Sequence, residues 1–540
     1  MEYHTIREIL VQAEQKFSTE DAIRYKIGAN EIRSKSYGQL KEDSEYFSLV
    51  LEAIGALGNH VAITGATSYP WLVAYLGTVN SGSVAVPLDA QLPAADMCEL
   101  LHRADATVFV ADEGHRDVAE LAKTRCPKLK HIIFMTTEVF EDVKSRREGL
   151  GETGQDLGWE EVQEPEEVSE NTYVTDVFEK SSAAFGRLLK NRENGFSFSP
   201  EPDQLCTIMF TSGTTGMSKG VMLTHRNLAE NATCLDMGIP SRTTLLSVLP
   251  IHHAYCLSMD ILKALSLGSI ICINDSLLRV AKNLKLFQPD MILMVPLMIE
   301  TLAKKLESIS LLPAAVIKAK VFGKHLHTIC SGGAYLNPNY LDFFARYGIT
   351  ILQGYGMTEC SPVISTNVSG NSKKGSVGKL MPNCEAKVVE EELYVRGSSV
   401  MLGYYKMPEE TAETLADGWL KTGDLGYVDE DGFVFLTGRK KNLIITKNGE
   451  NVSPEELENK IGEHRLVQEV LVRENEGVIE AEIFPDYEYA KKKKISDCQS
   501  ALWKVIDDYN QGVPAYKKIH GLKVRETEFD KTTSKKIKRF

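Results

Sequence analysis

The sequence predicts an α/β fold: a large N-terminal unit of stacked α/β subdomains with a small β-rich section, then a small α+β unit at the C-terminal end. Three observations predict it. Short β-branched runs alternate with longer stretches of helical spacing, the pattern of parallel sheets covered by helices. Near 390–440 strand-like runs follow one another with only turns between them. From Arg439 onwards the charge balance changes sign, with 21 Lys+Arg against 18 Asp+Glu, where the preceding residues carry 40 against 56. The expected boundary separates 1–438 from 439–540.

The elements follow in order. Buried strands are expected at 60–64, 269–273, 291–295, 327–330 and 349–352, each a short apolar run bounded by polar or turn residues. Helical spacing fills 276–286 and 298–306 between them. Runs at 392–396 and 432–436 mark the β-rich section. The polar, acidic stretch 145–203 reads as a surface excursion, and the four lysines at 491–494 as a solvated helix end or loop.

Composition excludes some functions. A formal charge of −13 argues against nucleic acid as a general partner. Ten cysteines lie far apart without a C-x-x-C pair, which predicts reduced thiols and a cytoplasmic setting. The opening Met1-Glu-Tyr-His-Thr-Ile-Arg7 lacks the basic start and apolar stretch of a signal peptide. No apolar run approaches the ~20 residues that span a bilayer, so any membrane contact would be peripheral.

One stretch carries chemistry on its own. Thr211-Ser-Gly-Thr-Thr-Gly-Met-Ser-Lys-Gly220 follows the apolar run 207–210 and precedes a helix-start signal at Thr224. Such a loop presents backbone N–H groups and hydroxyls together, and its glycines allow close approach to a ligand. Lys219 adds a point charge. The stretch does not follow the G-x-x-x-x-G-K-[ST] pattern, but strand, loop, lysine and helix start together point to a grip on nucleotide phosphates.

The loop resembles the signature of the adenylate-forming superfamily of AMP-dependent synthetases and ligases. Further motifs resemble that family's in its order. They are Pro250-Ile-His-His-Ala-Tyr255, Ser331-Gly-Gly-Ala334, Gly354-Tyr-Gly-Met-Thr-Glu359, Gly418-Trp-Leu-Lys-Thr-Gly-Asp424, Gly438-Arg-Lys-Lys-Asn442, Asn448-Gly-Glu-Asn-Val-Ser-Pro454 and Lys531-Thr-Thr-Ser-Lys-Lys-Ile-Lys-Arg539. The resemblance covers essentially the whole chain, and its flavour is that of bacterial long-chain fatty acyl-CoA synthetases.

The resemblance implies a carboxylate attacking the α-phosphate of ATP, then transfer of the acyl group to coenzyme A, with a C-terminal domain that moves between the steps. Thr211, Ser212, Gly213, Thr214, Thr215, Gly216 and Lys219 would cradle the β- and γ-phosphates. Thr358 would bond a phosphate oxygen, and Glu359, with Thr211, would hold Mg²⁺. Gly333, Ala334, Tyr355 and Gly356 would form the adenine site, with Tyr355 stacked on the base. Asp424 would accept from the ribose hydroxyls, and Arg439 would reach the ribose or a phosphate. His253 would lie near the acyl pocket, whose small or apolar neighbours are Tyr255, Met259, Gly332, Ala334 and Gly354. Lys536 would bridge the attacking carboxylate and the α-phosphate. Lys535 stands where the family pattern has Gly, which leaves Lys535 as the alternative; alignment on Thr532 and Arg539 favours Lys536. Lys441 would be the hinge, and Gly449 with Glu450 would face the pantetheine tunnel. A carrier-protein thiol in place of coenzyme A is the alternative acceptor. A non-catalytic binder would be expected to have lost these groups, and it has not.

Overall fold

A computed structural model describes residues 2–28, 31–135, 198–211, 217–308, 313–446, 449–531 and 537–539. The strand–helix alternation becomes two large sheets. In the nine-stranded sheet, the strands Ile270–Ile273, Thr244–Ser247, Met291–Met294, Thr328–Ser331 and Thr350–Gly356 run parallel. In the seven-stranded sheet, Leu205–Thr211 lies beside Val84–Pro87, and Val84–Pro87 beside His60–Ile63. These strands are buried on both faces, which is why they read as continuous apolar runs rather than alternating ones. The helix Tyr69–Asn80 is buried at every position and belongs to the apolar core that the two sheets share.

The helical spacing at 276–286 and 298–306 corresponds to a 3₁₀ turn Leu277–Arg279 leading into the helix Val280–Phe287, and to the helix Pro296–Ser308. One expected strand is longer than its apolar run. The run at 349–352 continues as Thr350–Gly356 because Gly354 and Tyr355 pair with Thr366 and Ser365 of Val363–Thr366. Two glycines fit there because a Cβ on Gly356 would overlap the Pro362 carbonyl. The expected excursion at 145–203 lies outside the described residues up to 197.

The β-rich section is a five-stranded antiparallel sheet containing Cys384–Val389, Glu392–Gly397, Trp419–Val428 and Val434–Arg439. Beyond it, the strands Val467–Asn475, Val478–Pro485 and Gly521–Val524 form a separate sheet. It packs with the helices Pro454–Ile461 and Cys498–Gln511 on its own core of Leu457, Ile461, Ile483, Leu502 and Ile506. Lys491, Lys492 and Lys493 close the helix Tyr487–Lys493, where cations favour the C-terminal dipole end. All ten cysteines are free, and all but Cys234 and Cys498 are buried. Among the described residues no helix is long and apolar enough to cross a membrane.

One buried group stands apart from this apolar packing. Asp260, fully buried, accepts a hydrogen bond from Ser247 at 3.0 Å on Oδ2, while its Oδ1 has no partner. Burial pushes its carboxyl up to about 7. A carboxyl whose folded pKa lies above its unfolded one stabilises the fold at low pH, and that contribution is lost as pH rises through the folded value. Asp260→Asn should therefore gain stability relative to the parent by about 4 kcal/mol as pH rises from 4 to 8. Denaturant melts of both proteins across that range check this, and a constant difference would contradict it. Other titrations, including Glu458, cancel in the comparison.

Candidate functional site

The expected phosphate loop is flanked by two paired strands. Thr211 ends Leu205–Thr211 and faces Lys219, the first residue of Lys219–Thr224, in antiparallel register. Ser212, Gly213, Thr214, Thr215 and Gly216 lie outside the described residues. A short strand, Gly403–Tyr404, adds to the outer side of Lys219–Thr224, so that Tyr404 faces Val221. The Tyr404 ring lies 4.7 Å from Lys219 Nζ, and its phenol donates to Glu359 Oε1 at 2.9 Å. Burial, and then the Glu359 charge, push the Tyr404 phenol well above its ordinary range, so it remains a donor. The Met401 backbone N–H also bonds the Glu359 carbonyl at 2.9 Å. Thr358 and Glu359 lie on a 3₁₀ turn, Thr358–Cys360, directly beyond the Thr350–Gly356 strand.

Tyr355, on that same strand, is 8% exposed and donates its phenol to Asp424 Oδ2 at 2.6 Å. Asp424 Oδ1 meets Arg439 Nε at 2.6 Å, because Asp424 and Arg439 are register partners across two antiparallel strands. The Asp424 backbone N–H is held by the Thr422 hydroxyl at 3.1 Å. A nearly buried carboxylate is thus fixed by one phenol, one guanidinium and its own turn. The phenol end of Tyr355 is committed to Asp424.

Gly333, with φ of +85°, and Ala334 are exposed just beyond Thr328–Ser331. A Cβ on neighbouring Gly332 would touch the Tyr255 ring at 3.3 Å, so the histidine motif packs directly against the expected adenine loop. The His252 and His253 rings lie 4.3 Å apart, and His252 Nε2 is 3.8 Å from Asp89 Oδ1. Burial, then His253, lower His252 to about 4, against the pull of Asp89. His253 is solvent-exposed, yet desolvation lowers it as well.

Lys441 sits on the 3₁₀ turn Lys440–Asn442, directly after Arg439. Desolvation and the Arg439 guanidinium lower it. Gly449, with φ of +80°, lies in the tight connection between the strands Ile444–Ile445 and Asn451–Val452. Lys535 and Lys536 lie outside the described residues. The residues that bracket them are anchored: Lys531 bridges Ile537, and Arg539 Nη1 donates to Glu458 Oε1 at 2.9 Å. Burial raises Glu458 to about 7 despite Arg539. Arg539 is also an electrostatic neighbour of Lys441, which places this end of the chain beside the Arg439–Asp424 pair.

Among the described residues no group of three or more His, Cys, Asp or Glu could hold a metal. A magnesium ion needs no such group, since it takes most of its oxygens from phosphates and water. The single carboxylate of Glu359, joined to Lys219 through Tyr404, fits that requirement.

The AMP-binding enzyme family model matches residues 11–405, and the model for the AMP-binding enzyme C-terminal domain matches 441–539. The chain belongs to the AMP-binding enzyme family. This AMP-binding enzyme is 34% identical over 294 residues to a long-chain-fatty-acid–CoA ligase of Salmonella typhimurium, a match covering 50% of each chain. It is 28% identical over 494 residues to the long-chain-fatty-acid–CoA ligase FadD15 of Mycobacterium bovis, covering 82% of this chain and 74% of that one. The matched stretch thus spans half the length of the Salmonella relative. The fold matches the crystal structure of the anthranilate CoA ligase AuaEII in complex with anthranoyl-AMP, with a TM-score of 0.77 at 20% identity, over 99% of this chain and 96% of that one.

In this AMP-binding enzyme, Tyr404 was not among the residues singled out by sequence. The available signal was the Leu402-Gly-Tyr-Tyr405 run, whose Gly403 takes φ of +144° with a Cβ position blocked by Thr411. Only the pairing with Lys219–Thr224 shows which way its tyrosines face.

Proposed function

We propose that the chain activates a medium- or long-chain fatty acid with ATP, releasing pyrophosphate, and passes the acyl group from acyl-AMP to coenzyme A. One observation carries this reading. Tyr355 and Glu359, four residues apart at the exit of one strand, tie to Asp424 on one side and, through Tyr404, to Lys219 on the other. A carboxylate suited to a ribose and a cation beside a metal-binding carboxylate therefore lie at opposite ends of one short segment, as one nucleotide triphosphate requires.

In this reading Thr211 through Lys219 hold the β- and γ-phosphates, and Thr358 bonds a phosphate oxygen. Magnesium at Glu359 would offset phosphate charge. Asp424 accepts from the ribose hydroxyls, with Arg439 beside it, and the Tyr355 ring, Gly333, Ala334 and Gly356 border the base. Two anions meet in the first step, so positioning and cations carry it. Lys536 supplies the cation between carboxylate and α-phosphate. The unit beyond Lys441 rotates to bring Gly449 and Glu450 to the pantetheine arm. His253 lies near the acyl pocket.

The fatty acid and the coenzyme A acceptor rest on the names of the relatives, together with one local feature. The hairpin joining Cys384–Val389 to Glu392–Gly397 closes through Glu390 and Glu391 alone, at φ of 50° and 65°. That two-residue turn leaves no room at this point for the rotation-impeding insertion of ligases that stop at acyl-AMP. ATP, Mg²⁺ and a panel of fatty and aryl acids, with and without coenzyme A, test the proposal. Fatty-acid-dependent pyrophosphate release with acyl-CoA as product is expected. Acyl-AMP accumulating despite coenzyme A points to a carrier-protein acceptor, and preference for aryl acids overturns the substrate.

A further inference from the structure

We infer that Arg103 and Asp105, on a corner remote in sequence from the expected motifs, are positioning residues for the nucleotide phosphates. The inference rests on the nucleotide reading above. The helix Ala94–Arg103 ends at this corner, where Asp105 takes φ of 53° and turns the chain. From this corner Arg103 reaches both flanks of the expected phosphate loop, and Asp105 reaches Tyr405, just beyond the strand Gly403–Tyr404. Arg103 Nη2 donates to the Ser218 carbonyl at 2.5 Å, the residue just before Lys219. Its guanidinium also lies 5.6 Å from the Phe210 ring, just before Thr211. Both ends of the loop therefore contact a single guanidinium.

Asp105 holds the other side. Its Oδ2 accepts from the Tyr405 phenol at 2.9 Å and pairs with Lys406, and its Oδ1 lies 3.1 Å from Lys128 Nζ. Burial opposes its charge, but Lys406, Tyr405 and Lys128 together bring the carboxyl down to about 2. His60 packs edge-on against the Tyr405 ring at 5.3 Å and bonds the Ala104 carbonyl at 2.6 Å, stiffening the same corner. The Tyr405 backbone N–H donates to the Gly220 carbonyl at 2.7 Å. Fixing Tyr405 on both sides fixes Tyr404, whose ring meets Lys219 and whose phenol holds Glu359.

The geometry therefore gives a continuous brace: Asp105 to Tyr405 to Tyr404 to Glu359, and Arg103 to Ser218 to Lys219. Neither Arg103 nor Asp105 touches substrate. They act by limiting how far the cation and the metal-holding carboxylate can move apart, a positioning effect that binding of the triphosphate registers directly.

The test uses the full chain with Arg103→Met, Arg103→Lys, Tyr405→Phe and the pair Asp105→Asn with Tyr405→Phe. Losing a hydrogen bond to a charged group should raise KM for MgATP about tenfold in Arg103→Met and in Tyr405→Phe. KM for the acid should stay unchanged, and Arg103→Lys should recover most of the loss. Asp105→Asn added to Tyr405→Phe should add little to the rise in KM for MgATP, since of the Asp105 contacts only the one to Tyr405 leads on to Glu359. Thermal melts and calorimetric binding of a non-hydrolysable ATP analogue run in parallel. Unchanged analogue binding in both single variants overturns the brace, as does a rise in both KM values that tracks the melting temperature. An unmodified protein that fails to bind the analogue at all would instead overturn the nucleotide reading.

Discussion

Glu359→Gln should lower fatty-acid-dependent pyrophosphate release by about a hundredfold or more, with the deficit partly recovered at high magnesium. The amide keeps an oxygen for the Tyr404 phenol, which donates to Glu359 Oε1 at 2.9 Å, so the local fold is retained. What is lost is the negative charge that Tyr404 links to Lys219. Tyr404→Phe makes the complementary change: the carboxylate stays and its holder goes. The loss there should be smaller, about tenfold, and should leave the magnesium dependence little altered. Steady-state rates across a magnesium titration distinguish the two. If both variants showed the same magnesium dependence as the parent, Glu359 would not be the metal-holding group.

Lys536→Ala should cripple formation of acyl-AMP, by about a thousandfold, while thiolysis of acyl-AMP supplied from outside stays within about threefold of the parent. The asymmetry follows from the charge it supplies, which is needed when a carboxylate approaches a phosphate and not when a neutral thiol attacks a carbonyl. Lys535→Ala serves as the comparison, since that lysine stands where the superfamily pattern places glycine. Half-reaction assays with each variant decide between them. Equal loss of both half-reactions in Lys536→Ala, or the larger loss in Lys535→Ala, would reject the assignment.

The strands that form the two sheets were readable as apolar runs because burial on both faces removes the alternation that would otherwise blur them. The motif loops stand out in the sequence because glycines, hydroxyls and single charges cluster in them, the pattern expected where backbone approaches a ligand. The bonds that organise the site were not. Tyr355 meets Asp424 across 69 residues, Tyr404 meets Glu359 across 45, and Tyr405 meets Asp105 across 300. No local pattern encodes such pairings, because they depend on which strands become neighbours. Arg103 illustrates the point: in sequence it is the basic last residue of an amphipathic helix, an ordinary C-terminal charge. Only the sheet order brings it to Ser218.

The strand Gly403–Tyr404 covers the outer flank of Lys219–Thr224, about 180 residues away in the chain. A truncated polypeptide ending before residue 400 would expose the Lys219–Thr224 flank as an unprotected hydrogen-bonding edge, an invitation to self-association. Such a fragment should precipitate or form strand-exchanged multimers in size-exclusion runs, whereas one ending after Arg439, which keeps both this strand and the Trp419–Val428 partner of Glu392–Gly397, should do so far less. The nucleotide half of this enzyme is thus not a detachable module until its late-synthesised border is in place.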